Sequence, residues 1–233
     1  MSSAAISHGY SASGAHVLGR GFKPSVVPDV RPIVFVVDED DAVPESLKLV
    51  IRSEGWRSET FPSAQEFLAF PRASVPSCLV LGVSLPGFTG LELQKQLAVE
   101  RPDIPIIFIT GRVHVPTVVQ AIKAGAIEFL TKPFEEEELL GAICVAMDRS
   151  HIALTQELEM RALRDCYASL TPREQQVMAL VVAGLLNKQV AGELGISEIT
   201  VKGHRGQVMQ KMKANSVADL VKMAGKLHLT ATL

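Results

Sequence analysis

Short apolar runs with the composition of β-strands alternate with amphipathic helical stretches between Ile33 and Arg149. Parallel strands need long crossover connections, which helices provide, so strict alternation of five strands and five helices predicts a doubly wound parallel sheet. The predicted strands are residues 33–37, 57–61, 79–81, 104–109 and 128–130, and the predicted helices are 44–53, 64–70, 91–100, 115–124 and 135–149.

Polar side chains follow three of these strands at the point where each strand ends. Asp38 and Glu39 follow the first strand, Thr110 the fourth and Lys132 the fifth, whereas the third ends at Gly82. Ligands of open α/β folds bind at the carboxyl ends of the strands, so we expect these groups to converge on one edge. The acidic pair taken alone is equally well explained as a solvated helix N-terminus, whose dipole favours anions.

Charge divides the chain into an acidic body and a basic C-terminal part. Residues 1–166 carry 15 Lys and Arg against 21 Asp and Glu, a net charge of −6, while residues 167–233 carry 8 against 4, a net charge of +4. A small basic part in an otherwise acidic chain indicates a polyanionic partner for that part alone.

Helix-capping residues delimit four short helices in the basic part. Thr171-Pro172-Arg173-Glu174 is a capping box with proline at the first helical position, and Asn187, Ser197 and Ser216 are further N-cap candidates. Four such helices in so short a segment indicate a helix-turn-helix with flanking helices. The predicted helices are residues 175–183, 188–194, 198–212 and 217–226.

The segment that joins the two parts contains neither proline nor glycine between Ala142 and Leu170. Its apolar residues continue at helical spacing beyond the last helix of the α/β part, which predicts a long connecting helix. That helix is a candidate dimer seam, although its heptads are too few and too irregular to indicate a coiled coil.

Five motifs occur in order along the first part. They are Val36-Val37-Asp38-Glu39-Asp40, Leu85-Pro86-Gly87-Phe88-Thr89-Gly90-Leu91-Glu92-Leu93, Ile107-Phe108-Ile109-Thr110-Gly111, Lys123-Ala124-Gly125-Ala126 and Phe129-Leu130-Thr131-Lys132-Pro133-Phe134. Together they resemble the receiver domain of a two-component response regulator. The resemblance implies a flavodoxin-like (βα)5 fold with sheet order 2-1-3-4-5 and a cis peptide bond between Lys132 and Pro133.

The resemblance also implies a role for each polar residue at the strand ends. Receivers accept a phosphoryl group on an aspartate at the end of the third strand, which corresponds to position 82. The matching positions assign the acidic pair that holds Mg²⁺, the hydroxyl that contacts the phosphoryl oxygens, the aromatic switch residue and the phosphate-binding lysine. These are, in that order, Asp38 with Glu39, Thr110, Phe129 and Lys132.

Position 82 departs from the receiver pattern because it is glycine. Glycine has no side-chain oxygen, so we predict no aspartyl phosphorylation there, no catalytic residue, and Mg²⁺ binding that is weak at most. Ser84 is the nearest hydroxyl, but without a base at hand it is a poor nucleophile. We expect Lys132 to pair with Asp38 or Glu39 across the vacated space.

The C-terminal part carries a second set of motifs. They are Leu170-Thr171-Pro172-Arg173-Glu174, Gly184-Leu185-Leu186-Asn187-Lys188-Gln189-Val190-Ala191, Leu194-Gly195-Ile196-Ser197 and Thr200-Val201-Lys202-Gly203-His204-Arg205. They resemble the LuxR-type DNA-binding domain of the NarL/FixJ response regulators, with the FixJ branch nearest. The resemblance implies a third helix that lies in the major groove of DNA.

Helical spacing divides that third helix into a buried side and a groove side. Val201, Val208 and Met212 repeat on one side and are expected to pack inward. The predicted base-facing residues are Thr200, Lys202, Gly203, Arg205 and Gly206, and the predicted phosphate contacts are Lys188, Lys211 and Lys213. Because glycine supplies no side chain for reading bases, we expect binding carried mainly by phosphate contacts, with modest sequence preference.

These observations predict a disordered leader at residues 1–31, a receiver at 32–149, a linker helix at 150–166 and a LuxR-type helix-turn-helix domain at 167–233. The expected function is a transcriptional regulator, not an enzyme, that binds double-stranded DNA as a homodimer without aspartyl phosphorylation. The alternative is a protein-interaction module whose receiver binds a sensor kinase or another response regulator. An odd number of scattered cysteines and the lack of a membrane-spanning run favour a reducing cytoplasm and no membrane partner.

Overall fold

The computed structural model describes residues 31–38, 45–72, 74–85 and 87–229, with the backbone alone at 45–47. Residues 1–30 of the predicted leader lie outside the described residues, and so does Glu39. The predicted domain boundaries stay predictions. None of the described helices combines the length and apolar character that crossing a membrane requires.

Seven strands are present in the described part of the chain. The five longer ones form one parallel sheet in the order β2-β1-β3-β6-β7, which confirms the doubly wound fold and the expected order of its strands. The remaining two form a small antiparallel hairpin that the alternation of longer elements does not reveal. The strands are β1 (Ile33–Val37), β2 (Arg57–Phe61), β3 (Ser77–Gly82), β4 (Ser84–Leu85), β5 (Phe88–Thr89), β6 (Ile106–Thr110) and β7 (Glu128–Thr131).

The helices of the described residues follow the predicted order, and most of their ends lie within three residues of the predicted ones. The predicted helix 135–149 and the predicted linker helix are one continuous helix of 33 residues. The helices are α1 (Glu45–Ser53), α2 (Ala64–Ala69), α3 (Gly90–Glu100), α4 (Val115–Lys123), α5 (Glu136–Ala168), α6 (Pro172–Val182), α7 (Asn187–Leu194), α8 (Glu198–Lys211) and α9 (Val217–Lys226).

Both faces of the sheet are buried, as a parallel sheet covered by helices requires. Successive side chains of a strand point to opposite faces, so Phe35 of β1 joins one apolar cluster while Val34 and Val36 join the other. The second cluster is completed by α5, which contributes buried residues such as Leu139 and Ile143. The first half of α5 is therefore part of the core of the α/β domain.

The side chain of Arg72 connects the second half of α5 to the α/β domain through hydrogen bonds. The Arg72 guanidinium donates to Asp103 Oδ1 and to Glu157 Oε2, with both N···O distances at 2.7 Å. Asp103 precedes β6 and is buried, whereas Glu157 lies well along α5. Arg72 thus fixes the helix beyond the point where its apolar contacts with the sheet end.

The four helices from α6 to α9 enclose a separate apolar core. Val201, Val208 and Met212 are buried in it, which confirms the predicted inward side of α8. Thr171 forms the predicted capping box with Glu174 at the start of α6, and Ser197 and Ser216 cap α8 and α9. These contacts give the domain its helix-turn-helix arrangement.

Candidate functional site

A pocket of about 330 Å³ opens at the carboxyl edge of the sheet. Asp38, Gly82, Thr110 and Lys132 all line it, as expected for residues that follow adjacent parallel strands. Glu39, the second member of the predicted acidic pair, lies outside the described residues. The structure thus brings most of the predicted acceptor residues together, and their roles remain predictions. The other lining residues are Val83, Ser84, Ile109, Gly111 and Arg112.

The ammonium of Lys132 contacts the carboxylate of Asp38 directly, through Oδ2. The Asp38 side chain is 6% exposed, and the Lys132 side chain is 27% exposed. This pair is one of the two that the sequence predicts. The peptide bond between Lys132 and Pro133 is cis, as the resemblance implies.

Gly82 lies beneath the Asp38 carboxylate. A Cβ atom at position 82 would lie 3.1 Å from Asp38 Oδ1 and 3.4 Å from Leu85 Cδ2. Contacts this short require the neighbouring groups to move by a few tenths of an ångström. Asp38 therefore already takes part of the space that an acceptor side chain at position 82 would need.

Gly90, at the first position of α3, packs directly against the same strand end. A Cβ atom there would lie 2.4 Å from the carbonyl oxygen of Gly82 and 3.0 Å from Phe108 Cε1. The Gly90 N–H donates to the carbonyl of Val83 at 2.9 Å. The sequence analysis did not identify this close approach, although a glycine directly after the N-cap residue Thr89 is its signal.

Thr110 and Phe129 make contacts within the receiver itself. The Thr110 hydroxyl accepts from the Arg112 backbone N–H at 3.2 Å and donates to the Arg112 carbonyl at 3.0 Å. Phe129 is half-buried and stacks on Phe108, with ring centroids 6.0 Å apart. The loop after β6 therefore uses the hydroxyl that the resemblance assigns to phosphoryl oxygens.

The described residues do not make up a Mg²⁺ site. Asp38 is the carboxylate that lines the pocket, and the Lys132 ammonium already contacts it. No group of three or more His, Cys, Asp or Glu side chains suited to a metal ion occurs within the described ranges. A hard divalent cation prefers several oxygen ligands, and the described part of this pocket supplies one carboxylate.

The outward side of α8 carries most of the predicted base-facing residues. Thr200, Lys202, Gly203 and Gly206 are exposed. Arg205 differs, because its Nη1 donates to Asn187 Oδ1 at 2.9 Å and the contact is partly buried. Arg205 therefore joins α8 to α7 in the structure, and its contact with bases stays a prediction.

Asn187 is predicted to be the N-cap residue of α7, but it lies one position further into the helix. It is the first residue of α7, and Leu186 occupies the N-cap position. The Gln189 side chain accepts from the Leu186 N–H at 2.8 Å, so it satisfies a backbone donor at this helix end. Asn187 is thereby left to accept from Arg205.

The three lysines predicted to contact phosphates differ in their surroundings. Lys188 and Lys213 are exposed. Lys211 instead donates to Glu174 Oε2 at 2.6 Å and to the Ser169 carbonyl at 3.3 Å. A phosphate contact by Lys211 would have to compete with the Glu174 carboxylate, so Lys188 and Lys213 are the better candidates for phosphate contacts.

The pair between Glu174 and Lys211 makes the stability of the C-terminal domain depend on pH. The Lys211 ammonium, and then the Thr171 backbone N–H, hold the pKa of Glu174 below its ordinary value of 4.5 by hydrogen bonding to the carboxylate. A lowered pKa in the folded state contributes stability above the unfolded pKa, and this is lost as pH falls through the folded pKa. The Glu174→Gln variant should therefore melt at a lower temperature than the wild type at pH 7, with the difference shrinking as pH falls below 4.5.

Calorimetric scans of the full chain at several pH values measure this difference. Gln retains the shape and the capping oxygen of Glu, so the comparison isolates the charge. Glu193→Gln, at an exposed position on α7, serves as the control and should leave the pH profile unchanged. A Glu174→Gln difference that stays constant down to acidic pH would contradict the prediction.

Comparison with known proteins gives the same two parts. Residues 34–144 match the family described as "Response regulator receiver domain", and residues 168–224 match "Bacterial regulatory proteins, luxR family". Nodulation protein W of Bradyrhizobium diazoefficiens is 47% identical over 86% of this chain and 88% of its own length. The transcriptional regulatory protein FixJ of the same organism is 40% identical over 82% of this chain and 93% of its own.

A solved structure extends the similarity to the arrangement of the fold. The structure of the response regulator StyR matches with a TM-score of 0.75 at 47% identity, and the match covers 84% of this chain and 99% of that chain. The two family matches lie on the parallel sheet and on the four-helix domain, respectively. The chain therefore belongs to the NarL/FixJ response regulators, which join a receiver domain to a LuxR-type DNA-binding domain.

Proposed function

We propose that this response regulator binds DNA and controls transcription without aspartyl phosphorylation of its receiver. The observation that carries the proposal is the contact between Lys132 and Asp38 above Gly82. The cation and the carboxylate that would serve a phosphoryl group neutralise each other. The position between them has no side chain to receive that group.

The neighbouring residues support the same interpretation. The Thr110 hydroxyl is engaged by the backbone of Arg112. Ser84 is exposed at the pocket rim, and within the described ranges its hydroxyl is hydrogen-bonded to no base that would turn it into a nucleophile.

The charge and exposure of the C-terminal domain support DNA as its partner. The domain has a net charge of +4 in a chain whose net charge is −2, and Lys188, Lys202 and Lys213 are exposed. Lysine contacts to phosphates release counterions, so the affinity should fall steeply with salt. A homodimer would place two copies of α8 in successive major grooves and recognise paired half-sites.

The apolar surface of α4 favours a protein contact by the receiver as a second function. Val115, Val119 and Ile122 lie on one side of this helix and are exposed. The contact partner is a second copy of the chain, a sensor kinase or another regulator.

A mobility shift of duplex DNA by the full chain at low salt supports the DNA-binding function. No shift under these conditions would favour the interaction module instead.

Incubation with acetyl phosphate and Mg²⁺, followed by intact mass spectrometry, tests phosphorylation independence. The wild type should gain no phosphoryl group. The Gly82→Asp variant should gain one, provided that Asp38 moves aside by the few tenths of an ångström that a Cβ at position 82 requires. A phosphoryl group on the wild type would overturn the proposal.

A Ser84→Ala variant identifies the acceptor if the wild type is modified after all. Loss of the added mass in that variant would assign the modification to Ser84. The Gly82→Asp protein is first checked by circular dichroism, so that a negative result is not caused by misfolding. These measurements are independent of DNA binding and separate the two halves of the proposal.

A further inference from the structure

Ile199 is the most exposed large hydrophobic residue among those that the structure describes, at 85%. It is the second residue of α8, the helix that the helix-turn-helix arrangement presents to DNA. In helix-turn-helix proteins the N-terminal residues of this helix contact the base edges. An apolar side chain therefore projects from the part of the helix that enters the groove.

Helical geometry places Ile199 at the centre of the outward side of α8. It lies about two and a half turns before Val208, which puts the two residues on opposite sides of the helix. Val208 is buried in the domain core. Gly203, Gly206 and Gln210 fall on the same side as Ile199 at the spacings that align residues on one face, and all three are exposed.

The two glycines leave Ile199 as a prominent feature of this face. A Cβ atom at Gly203 or at Gly206 would meet nothing within 4 Å. The chain therefore does not need glycine at these positions for packing within the domain. Their effect is to remove side chains from the outward face, so that the helix backbone can approach an opposing surface closely.

The amino-acid composition of the outward face of α8 favours DNA over a protein as its binding partner. Ile199 stands alone as a large apolar residue there, because its neighbours are glycine, Gln210 and, at the flank, Lys202. Protein-docking surfaces are contiguous apolar patches, and one isoleucine does not make such a patch. The major groove of DNA presents isolated thymine methyl groups between charged backbones, and an apolar side chain beside a lysine is complementary to both.

We propose that Ile199 contacts the C5-methyl group of a thymine in the major groove and makes the protein prefer thymine at that position. Isoleucine can neither donate nor accept a hydrogen bond, and thymine is the one base that presents a methyl group in this groove. Gly203 and Gly206 allow the helix to lie deep enough for the contact. The inference rests on the proposed DNA-binding function and adds a reader of sequence to it.

Substituting deoxyuridine for thymine tests the contact, because it removes the methyl group and leaves the hydrogen-bonding edge unchanged. Duplexes are first selected from a random library with the full wild-type chain, and each preferred thymine is then replaced in turn. Burial of one methyl group corresponds to about a fourfold change in affinity. We expect the wild type to bind about fourfold more weakly when one particular thymine of each half-site is replaced.

The Ile199→Ala variant should bind the thymine and deoxyuridine duplexes equally. Because the side chain is exposed, the variant is expected to keep the circular dichroism spectrum of the wild type. Val99→Ala is the matched control, since Val99 is 84% exposed but lies on α3 of the receiver. It should retain the full discrimination between the two duplexes.

Two results would overturn the inference while leaving DNA binding intact. One is equal binding of both duplexes by the wild type at every thymine. The other is a deoxyuridine effect that persists unchanged in Ile199→Ala. If the wild type shifts no duplex at low salt, the proposed DNA-binding function itself fails, and the inference fails with it.

Discussion

Replacing Gly90 by alanine is expected to destabilise the receiver domain by about 3 kcal/mol, at the upper end of the usual cost of overpacking a core. The added Cβ would lie 2.4 Å from the backbone oxygen of Gly82. A backbone oxygen at the end of a central strand cannot move away as a flexible side chain can, so α3 or β3 must shift. Urea unfolding followed by Trp56 fluorescence measures the change, because the single tryptophan packs against the receiver core.

Gly141→Ala provides the matched control for this substitution. Gly141 lies within α5, and a Cβ atom there would meet nothing within 4 Å. Alanine is favoured over glycine inside a helix by about 1 kcal/mol, so this variant should be as stable as the wild type or more so. Equal urea midpoints for Gly90→Ala and the wild type would show that the packing at the end of β3 is looser than described.

Replacing Lys132 by methionine is expected to destabilise the receiver by about 2–3 kcal/mol. The change takes the ammonium away from the Asp38 carboxylate, whose side chain is 6% exposed. Removing one partner of a buried ion pair costs about 3–5 kcal/mol, and the 27% exposure of Lys132 lowers this expectation. The same urea titration, monitored through Trp56, measures the loss.

A double-mutant cycle shows whether the cost comes from the ion pair. Adding Asp38→Asn to Lys132→Met should recover most of the lost stability, because the side chain that faced the Lys132 ammonium is then neutral. Lys123→Met, at an exposed position on α4, should leave the urea midpoint unchanged. Additive effects of the two pocket substitutions would mean that the contact between Lys132 and Asp38 contributes little to stability.

The fold was predictable because its elements repeat a simple pattern. Strands such as β1 are continuous apolar runs, and each is followed by an amphipathic helix, so the alternation identifies the parallel sheet. The hairpin of β4 and β5 was not predictable, because strands of two residues have no periodicity to detect. The single span of α5 was only partly predictable, since apolar spacing weakens once the helix leaves the sheet.

The acceptor pocket was predictable in its members but not in their detailed contacts. Strand order alone brings Asp38, Thr110 and Lys132 to one edge. The position of Asp38 above Gly82, and the close approach of Gly90, depend on three-dimensional packing between residues distant in sequence. The glycine directly after the N-cap residue Thr89 indicates where α3 could approach closely, but no local pattern gives the distances themselves.

The sequence also does not predict which of the DNA-binding residues have partners within their own domain. Motif positions indicate which residues belong to α8, but they do not reveal partners within the domain. Arg205 and Lys211 donate hydrogen bonds to side chains of α7 and α6, respectively. Ile199 was not among the predicted base-facing residues, because the motif emphasises hydrogen-bonding and charged side chains. Its position two and a half helical turns before the buried Val208 places it on the outward side of α8.

The continuity of α5 has a mechanical consequence. A helix of 33 residues is about 50 Å long, and it leads without a break from the receiver core to the DNA-binding domain. Such an element acts as a rigid lever, in which a tilt of a few degrees at one end displaces the other end by several ångströms. Arg72, by contacting both Asp103 and Glu157, links the α/β domain to the second half of that helix. A change of tilt at the receiver end of α5 would therefore reach the DNA-binding domain without crossing a flexible joint.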